Sequence, residues 1–269
     1  MKQALRDRLG RATDPSSGGV AERAWALELR EVTKSYGIGL AATPAVAGVS
    51  LRVASGEFVA IMGPSGSGKS TLIHMAAGLE APDTGSVAIL GETMPTKVRG
   101  SRWFEARRRR IGVVFQRLNL VPYLTAAENV ALPLELDGWS SWTTAAAVQA
   151  AMARTGTEAL SDRFPNEMSG GQLQRVAVAR GVVGERELLL ADEATGALDT
   201  AAAEAIVELL AAQAAEGSAV LLVTHDSRLA AWADRVVFLR DGSVVDTSGP
   251  ASPITVAADP SRGASEMTR

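Results

Sequence analysis

The sequence has no cysteine, no long apolar run and no excess of basic residues. Without cysteine, the chain can form neither a disulfide framework nor a thiolate metal site. No stretch approaches the roughly 18 uninterrupted apolar residues of a membrane-spanning helix, and Met1–Arg8 lacks the apolar core of a signal peptide. The 27 basic and 30 acidic residues give a net charge of -3, which argues against a nucleic-acid partner. We expect a soluble cytoplasmic chain whose membrane-spanning helices, if it works at a membrane, belong to another polypeptide.

The composition is that of a globular domain with polar ends. Hydrophobic residues make up 46% of the 269 residues and charged residues 21%. Residues 1–24 contain the cluster Pro15–Gly19, and the last twenty residues contain three prolines. Such segments are typical of flexible tails. We therefore predict one domain over 25–248, flanked by tails over 1–24 and 249–269.

Short apolar runs alternate with helical patterns along this domain. Continuous apolar runs over 58–61, 111–115, 188–191 and 220–223 are typical of strands buried on both faces of a sheet. The segment Thr200–Ala215 has apolar residues at helical spacing. This alternation predicts an α/β fold with a mainly parallel sheet. Residues from about 120 to 182 show helical patterns only, so we expect a helical insertion there.

A glycine-rich loop gives the strongest local signal. It consists of Gly63, Pro64, Ser65, Gly66, Ser67, Gly68, Lys69, Ser70 and Thr71. The order of Gly, four residues, Gly, Lys and Ser is that of the phosphate loop, and it follows a predicted strand and opens a helical run. Its backbone N–H groups and the helix N-terminus would face phosphate oxygens. Lys69 would reach the outer phosphates, and the Ser70 hydroxyl would bind Mg²⁺.

An acid pair ends one of the predicted buried strands. Asp192 and Glu193 directly follow the run Leu188–Ala191. Ligands of α/β sheets bind at the carboxyl ends of strands, where Asp192 would hold Mg²⁺. Glu193 is the candidate general base for an attacking water.

A further run resembles the signature sequence of the ABC ATPases. It spans Met168–Arg175 and includes Ser169, Gly170, Gly171 and Gln172. Other elements of that family occur along the chain in the expected order. Before the signature run lie Tyr36, as the adenine-stacking aromatic, and Gln116, as the Q-loop glutamine; after it lie Gly196–Asp199, as the D-loop, and His225, as the switch histidine. The resemblance covers about residues 26–248. His74 has no family role and is interpreted as an ordinary helix residue.

The resemblance implies a particular architecture and mechanism. It implies a phosphate-loop ATPase core with an antiparallel β subdomain and a helical subdomain. Two copies would form a homodimer that sandwiches ATP and Mg²⁺, with the signature of one copy facing the phosphate loop of the other and Asp199 among the nucleotide-binding residues. Gln116 would sense the nucleotide and contact the metal, and His225 would position the γ-phosphate. The helical insertion would then act on a separate transmembrane permease at the cytoplasmic face of the membrane, and its surface over Arg117–Leu124 is the predicted contact.

The segments Gly56–Met62 and Glu128–Leu134 resemble the ATPases of macrolide export and lipoprotein release. A regulatory ATPase of the cell-division type and a soluble ABC protein of translation or repair remain as alternatives. Ala194 stands where this branch commonly has proline, which would restrict Glu193, so the hydrolysis rate stays open. We expect the run Arg107–Arg110 to lie on a solvated helix face, and Trp139 and Trp142 to pack beside a loop.

Overall fold

The computed structural model describes residues 25–37, 43–95 and 102–249. The strands in these ranges form two β-sheets. The strands are β1 (Trp25–Tyr36), β2 (Thr43–Ala54), β3 (Phe58–Met62), β4 (Thr84–Ile89), β5 (Glu92–Thr93), β6 (Ile111–Val114), β7 (Leu188–Asp192), β8 (Ala219–Val223), β9 (Arg235–Arg240) and β10 (Ser243–Ser248). Residues 1–24 and 250–269, which hold the predicted tails apart from Gly249, lie outside the described residues.

The larger sheet has the strand order β10-β9-β3-β8-β7-β6. Only β10 runs antiparallel to its neighbour, and the other pairs are parallel. Its central strands are almost wholly apolar because helices cover one face, and a helix together with the smaller sheet covers the other. In the register, Ile61 and Asp192 both lie opposite Val223, so the carboxyl ends of β3, β7 and β8 meet at one edge. The prediction of an α/β fold with a mainly parallel sheet is confirmed.

The smaller sheet is antiparallel and has the order β2-β1-β4-β5. Its inward side chains, such as Leu27 and Leu51, share a core with Leu72 and Leu190 from the other layer. The sheet therefore covers one face of the parallel sheet and supports the helix that follows the glycine-rich loop. The antiparallel part that the family resemblance implied is present.

Helices connect the strands of the larger sheet. They are α1 (Lys69–Ala76), α2 (Arg102–Arg110), α3 (Ala126–Leu136), α4 (Ser141–Thr155), α5 (Gly170–Val182), α6 (Thr200–Ala215) and α7 (Ser227–Ala230), with 3-10 turns at Glu158–Leu160 and Pro165–Glu167. Helices α3, α4 and α5 share a core of their own, which includes Val130, Leu134, Met152 and Val176. These helices occupy the segment in which the sequence predicted only helix. The division of the chain into domains stays a prediction.

The arginine run at the end of α2 lies only partly on a solvated face, because the side chain of Arg109 is 61% exposed whereas its neighbours are partly buried and paired, so that expectation was wrong in part. Arg108 donates to Asp137 Oδ1 at 2.8 Å and to the carbonyl of Leu136 at 2.7 Å. Arg110 donates to Glu187 Oε2 at 2.7 Å, and burial lowers the pKa of Arg107. The run ties α2 to the α3–α4 connection and to the start of β7, because the backbone brings these partners to it. No helix in the described ranges is long and apolar enough to cross a bilayer.

Candidate active site

The glycine-rich loop joins β3 to α1 at the carboxyl edge of the parallel sheet. Gly68 is the residue before α1, and its φ of 95° lies in the left-handed region. A Cβ at Gly68 would approach the carbonyl oxygen of Ala45 to 2.0 Å, so both the turn and its packing require glycine here. The predicted strand, loop and helix therefore occur in the order that a phosphate loop needs.

Lys69 places a cation inside this loop. Its side chain is buried, and its ammonium group donates to the carbonyls of Gly63 at 2.9 Å and Pro64 at 2.7 Å. Within the described ranges it forms no ion pair with a carboxylate. The Ser67 hydroxyl is also buried and has no hydrogen-bond partner among those residues. A buried cation beside an unsatisfied hydroxyl is an environment that an anionic ligand would complete.

Asp192 ends β7 next to the start of α1. Its carboxyl is buried beside the Ser70 hydroxyl, and Oδ1 has no hydrogen-bond partner in the part of the chain that the structure describes. Burial raises the pKa of Asp192, and the Ser70 hydrogen bond opposes this rise. Mg²⁺ prefers oxygen ligands such as a hydroxyl and a carboxylate. The residues present therefore fit a magnesium ion, with Ser70 and Asp192 as ligands.

The three predicted catalytic side chains lie together, with Gln116 and His225 on either side of Glu193. Gln116 donates from Nε2 to Glu193 Oε2 at 2.8 Å. His225 Nδ1 lies 3.9 Å from the other carboxylate oxygen, Oε1. These side chains follow β6, β7 and β8, which are adjacent strands, so the sheet brings them together although they are far apart in sequence. A carboxylate between an amide and an imidazole can accept a proton and orient a water molecule.

The backbone of Glu193 is held in an unusual conformation. Its φ of 47° is left-handed, which costs a non-glycine residue about 1–2 kcal/mol. Two hydrogen bonds hold it, from Glu193 N to the carbonyl of Val223 and from Gly196 N to the carbonyl of Glu193, each at 3.1 Å. Ala194 is fully buried behind it. The chain thus fixes the backbone of Glu193 by hydrogen bonds and packing, without the ring of a proline.

The signature residues start a helix away from the phosphate loop. Ser169 caps α5 by accepting from Gln172 N, and the Gln172 side chain accepts from Ser169 N in return. Asp199 caps α6 in the same way by accepting from Ala202 N at 2.9 Å. No hydrogen bond within the described ranges joins Ser169–Gln172 to the loop at 63–71. Within the described residues of one chain, the signature residues therefore make their hydrogen bonds to their own helix and not to the phosphate loop.

Tyr36 lies beside the start of α1. Its hydroxyl donates to Glu80 Oε2 at 2.6 Å and lies 3.5 Å from Thr71 Oγ1. Burial raises the pKa of Tyr36, and the hydrogen bond to Glu80 adds to the rise. The residue is nevertheless 46% exposed, which leaves part of its side chain open to a ligand. Glu80 positions this ring and carries no motif that could have identified it from sequence.

Sequence reasoning also missed two residues near the acid pair. Arg180 of α5 donates to the carbonyls of Leu118 at 2.6 Å and Asn119 at 2.7 Å, just after Gln116. His74 of α1 packs against Phe115. No pattern in the sequence announces either contact, because each joins segments that are distant along the chain.

The sheet order, the loop after β3 and the acid after β7 define a phosphate-loop nucleotide-binding protein. Residues 46–196, which are more than half of the chain, match the ABC transporter family. The chain belongs to this family and to its ATP-binding proteins.

Known relatives agree with this assignment. An uncharacterized ABC transporter ATP-binding protein, YknY of Bacillus subtilis, is 41% identical over 82% of this chain and 96% of its own length. The macrolide export ATP-binding/permease protein MacB of Hyphomonas neptunium is 40% identical over 83% of this chain, which spans only 34% of that relative. A solved dimeric structure of the ATP-binding cassette MJ0796 of Methanocaldococcus jannaschii, in a post-hydrolysis state bound to ADP and Pi, has a TM-score of 0.78 at 37% identity and covers 83% of this chain and 98% of its own.

Proposed function

We propose that this chain hydrolyses ATP and, as a homodimer, drives a separate membrane permease. The observation that carries the proposal is the Gln116–Glu193–His225 cluster beside the phosphate loop and Asp192. Each of these groups has a task in the transfer of a phosphoryl group to water. No other arrangement of the described residues gathers a base, a metal ligand and an anion site at one edge of the sheet.

The loop residues and Tyr36 would bind the nucleotide. The triphosphate would lie along Gly63–Thr71, where the backbone N–H groups at the start of α1 face it. Lys69 would give up its hydrogen bonds to the two carbonyls and donate to the outer phosphates instead. The buried ammonium group would then have a charged acceptor, which binds it more strongly than a neutral carbonyl does. The exposed face of Tyr36 would stack on the adenine ring.

Glu193 would act on the water. In this step the water oxygen attacks the γ-phosphorus, Glu193 accepts the water proton, and the oxygen between the β- and γ-phosphates leaves with ADP. Gln116 and His225 would hold the carboxylate and the γ-phosphate in line. Ser70, Asp192 and Gln116 would hold Mg²⁺, which would supply positive charge for the phosphates when it is bound.

A second copy of the chain would complete the site. Ser169 and Gly170 are exposed at the N-terminus of α5, where the helix dipole favours an anion. Gly171 and Gln172 follow in the first turn, and a Cβ at Gly171 would lie 3.5 Å from the Ala197 carbonyl, near Asp199. The similar cassette MJ0796 was solved as a dimer with ADP and Pi. A nucleotide that contacts both copies would favour the closed dimer, and hydrolysis would weaken it.

An apolar groove supports the permease as partner. It has a volume of about 300 Å³ and runs between β6 and α3, past Val113, Phe115 and Pro133, with Arg180 and Arg186 at its side. Burial lowers the pKa of both guanidinium groups. A short permease segment with apolar side chains and a carboxylate would match this lining. The groove adjoins Arg117–Leu124, so movement after Gln116 would reach the permease.

Export is the transport direction we propose, because several relatives are named macrolide export proteins. The chain would then act at the cytoplasmic face of the membrane through its permease, and the net charge of -3 gives no support for a nucleic-acid partner. The alternative is a regulatory ATPase of the cell-division type with little turnover. The observation that favours it is Ala194, since hydrogen bonds and packing alone hold the backbone of Glu193, without the added restriction of a following proline.

The test is steady-state hydrolysis of Mg-ATP by the wild type, by Glu193→Gln and by Glu208→Gln. Glu208 is an exposed carboxylate on α6 and serves as the matched control. We expect turnover in the wild type and the control, and a loss of about a hundredfold or more in Glu193→Gln. Because that variant can bind ATP but not complete the reaction, it should form an ATP-dependent dimer on gel filtration.

Two results would change the conclusion. If Glu193→Gln hydrolyses ATP like the control, Glu193 is not the base. If the wild type binds ATP but does not hydrolyse it even with its permease present, the regulatory alternative replaces the transport motor.

A further inference from the structure

Two tryptophans are exposed where α3 meets α4. Trp142 is 85% exposed and Trp139 41%, and Leu136 beside them is 58% exposed. The sequence-based expectation that both tryptophans pack was therefore wrong for Trp142. Leu136, Trp139 and Trp142, together with Arg108 and Arg109, are called the tryptophan patch below. Large apolar side chains grouped on a surface mark an interaction site more often than single ones do.

The backbone presents both rings in a fixed position. Helix α3 ends in a Schellman motif, in which Gly138 N donates to the carbonyl of Glu135 and Trp139 N to the carbonyl of Leu134. Gly138 has the φ of 78° that this motif requires. Helix α4 then starts at once, because Ser140 caps it by accepting from Thr143 N. Little conformational entropy would be lost when such a surface binds, since the backbone is already ordered.

The patch cannot turn into the protein core. Thr144, two residues after Trp142, is buried, as are Val148 and Met152 on the same face of α4. Two residues along a helix point to nearly opposite sides. Trp142 is thus directed outward by the packing of α4 on the helical core.

Cationic side chains contact the turn that leads to Trp139. Arg108 and Arg109 both contact Asp137, at 2.8 and 3.7 Å, and Arg109 also donates to the Asp137 carbonyl at 3.2 Å. The side chain of Asp137 is only 2% exposed, whereas that of Arg109 is 61% exposed. Two guanidinium groups against one buried carboxylate leave positive charge at the surface of the turn that precedes Trp139.

We propose that the tryptophan patch contacts the surface of an anionic phospholipid bilayer. Indole rings favour the membrane–water interface, where the ring is apolar and its N–H reaches water. Arginine near that surface is attracted to anionic headgroups. Leu136 also lines the apolar groove, so the patch continues from the surface proposed to meet the permease. The proposal goes beyond ATP hydrolysis and does not depend on it.

Flotation of the purified full chain with lipid vesicles tests the proposal. Vesicles of phosphatidylcholine mixed with phosphatidylglycerol are compared with vesicles of phosphatidylcholine alone. The variants are the double substitution Trp139→Ser with Trp142→Ser, the single substitution Arg109→Gln, and Tyr123→Ser as control. Tyr123 is as exposed as Trp142, at 87%, but lies before the opposite end of α3.

The wild type should float with the anionic vesicles and much less with the neutral ones. Removing both rings should lower the partition coefficient about tenfold or more, from the apolar area no longer buried. Arg109→Gln should lower it about fivefold, the share of one arginine near an anionic surface. Brominated acyl chains should quench tryptophan fluorescence in the wild type and not in the double variant. Basal ATP hydrolysis should be unchanged in the double variant and in Arg109→Gln, and the circular dichroism spectrum should be unchanged in Tyr123→Ser, which shows that each is folded.

The proposal is overturned if the wild type does not float with anionic vesicles. It is also overturned if the double variant floats as well as the wild type, or if Tyr123→Ser loses as much binding. A patch that needs the permease rather than lipid would give the first of these results. If the wild type floats with anionic vesicles but does not hydrolyse ATP, only the proposed function is contradicted.

Discussion

Replacing Arg180 by methionine should remove the hydrogen bonds that tie helix α5, which begins at the signature, to the segment after Gln116. Arg180 lies near the end of α5, and its guanidinium donates to the carbonyls of Leu118 at 2.6 Å and Asn119 at 2.7 Å. Methionine keeps an apolar stem of similar length and removes both donors. The two carbonyls would then lose a charged partner in a partly buried place.

The expected loss can be worked out from these contacts. A hydrogen bond to a charged group contributes about 1.5–3 kcal/mol, so two would give about 3–6 kcal/mol. Burial lowers the pKa of Arg180, which shows that the buried guanidinium carries a desolvation cost that the variant avoids. We therefore expect the free energy of unfolding to fall by about 2–3 kcal/mol, with the desolvation relief offsetting part of the gross loss.

Urea unfolding of the nucleotide-free protein, followed by circular dichroism, measures this loss. The control is Arg175→Met on the same helix, where Arg175 makes one hydrogen bond, to the carbonyl of Gly156 at 3.1 Å. That variant should lose about 1 kcal/mol or less. Mg-ATP hydrolysis should fall about tenfold in Arg180→Met, because the segment that carries Gln116 loses its support. Equal stability losses in the two variants, within about 0.5 kcal/mol, would refute the reasoning.

Two further substitutions test the site and its packing. Asp192→Asn should raise the free energy of unfolding of the nucleotide-free protein near pH 7 by roughly 1 kcal/mol, because burial holds the pKa of this carboxyl above its unfolded value. The wild type therefore loses stability as the pH rises from the unfolded pKa to the folded pKa of Asp192, because the carboxyl ionises there. Asparagine, like the protonated acid, carries no charge and does not lose this stability. The same variant should bind Mg-ATP more weakly in a calorimetric titration; a variant no more stable than the wild type would contradict the argument. Gly112→Ala should cost about 1–3 kcal/mol in urea unfolding, because a Cβ there would lie 1.9 Å from the carbonyl oxygen of Gly181. Gly91→Ala is the comparison, since its methyl meets nothing within 4 Å among the described residues, and its positive φ should cost about 1 kcal/mol; equal costs would show that strand β6 and α5 can move apart freely.

Elements with a strong local signal were predicted well. Helix α6 begins and ends where the sequence predicted, at Thr200 and Ala215, because Asp199 caps it and its apolar spacing is regular. The strands that end at Met62 and Asp192 were found from their continuous apolar runs. Strand β2 was missed because Pro44 and Gly48 interrupt its pattern, and only pairing with β1 makes the segment extended.

The charged and aromatic surface was predicted less well. An arginine run at a helix end looks solvated in sequence, yet Asp137 and Glu187 come to it from segments that are distant along the chain. A tryptophan in sequence usually indicates packing, but Trp142 faces outward because the other face of α4 packs inward. Such outcomes depend on which elements become neighbours, and no local pattern contains that information.

The sequence by itself determined the phosphate loop, the acid pair and the family. The loop chemistry needs Gly68, Lys69 and Ser70 in a fixed local order, and a short stretch of chain contains all of it. Only the tertiary structure brought Gln116 to 2.8 Å from Glu193, because these residues follow different strands that become adjacent through the sheet order. Local backbone preference can thus be seen in the sequence, whereas the contacts around the base arise from the pairing of β6, β7 and β8.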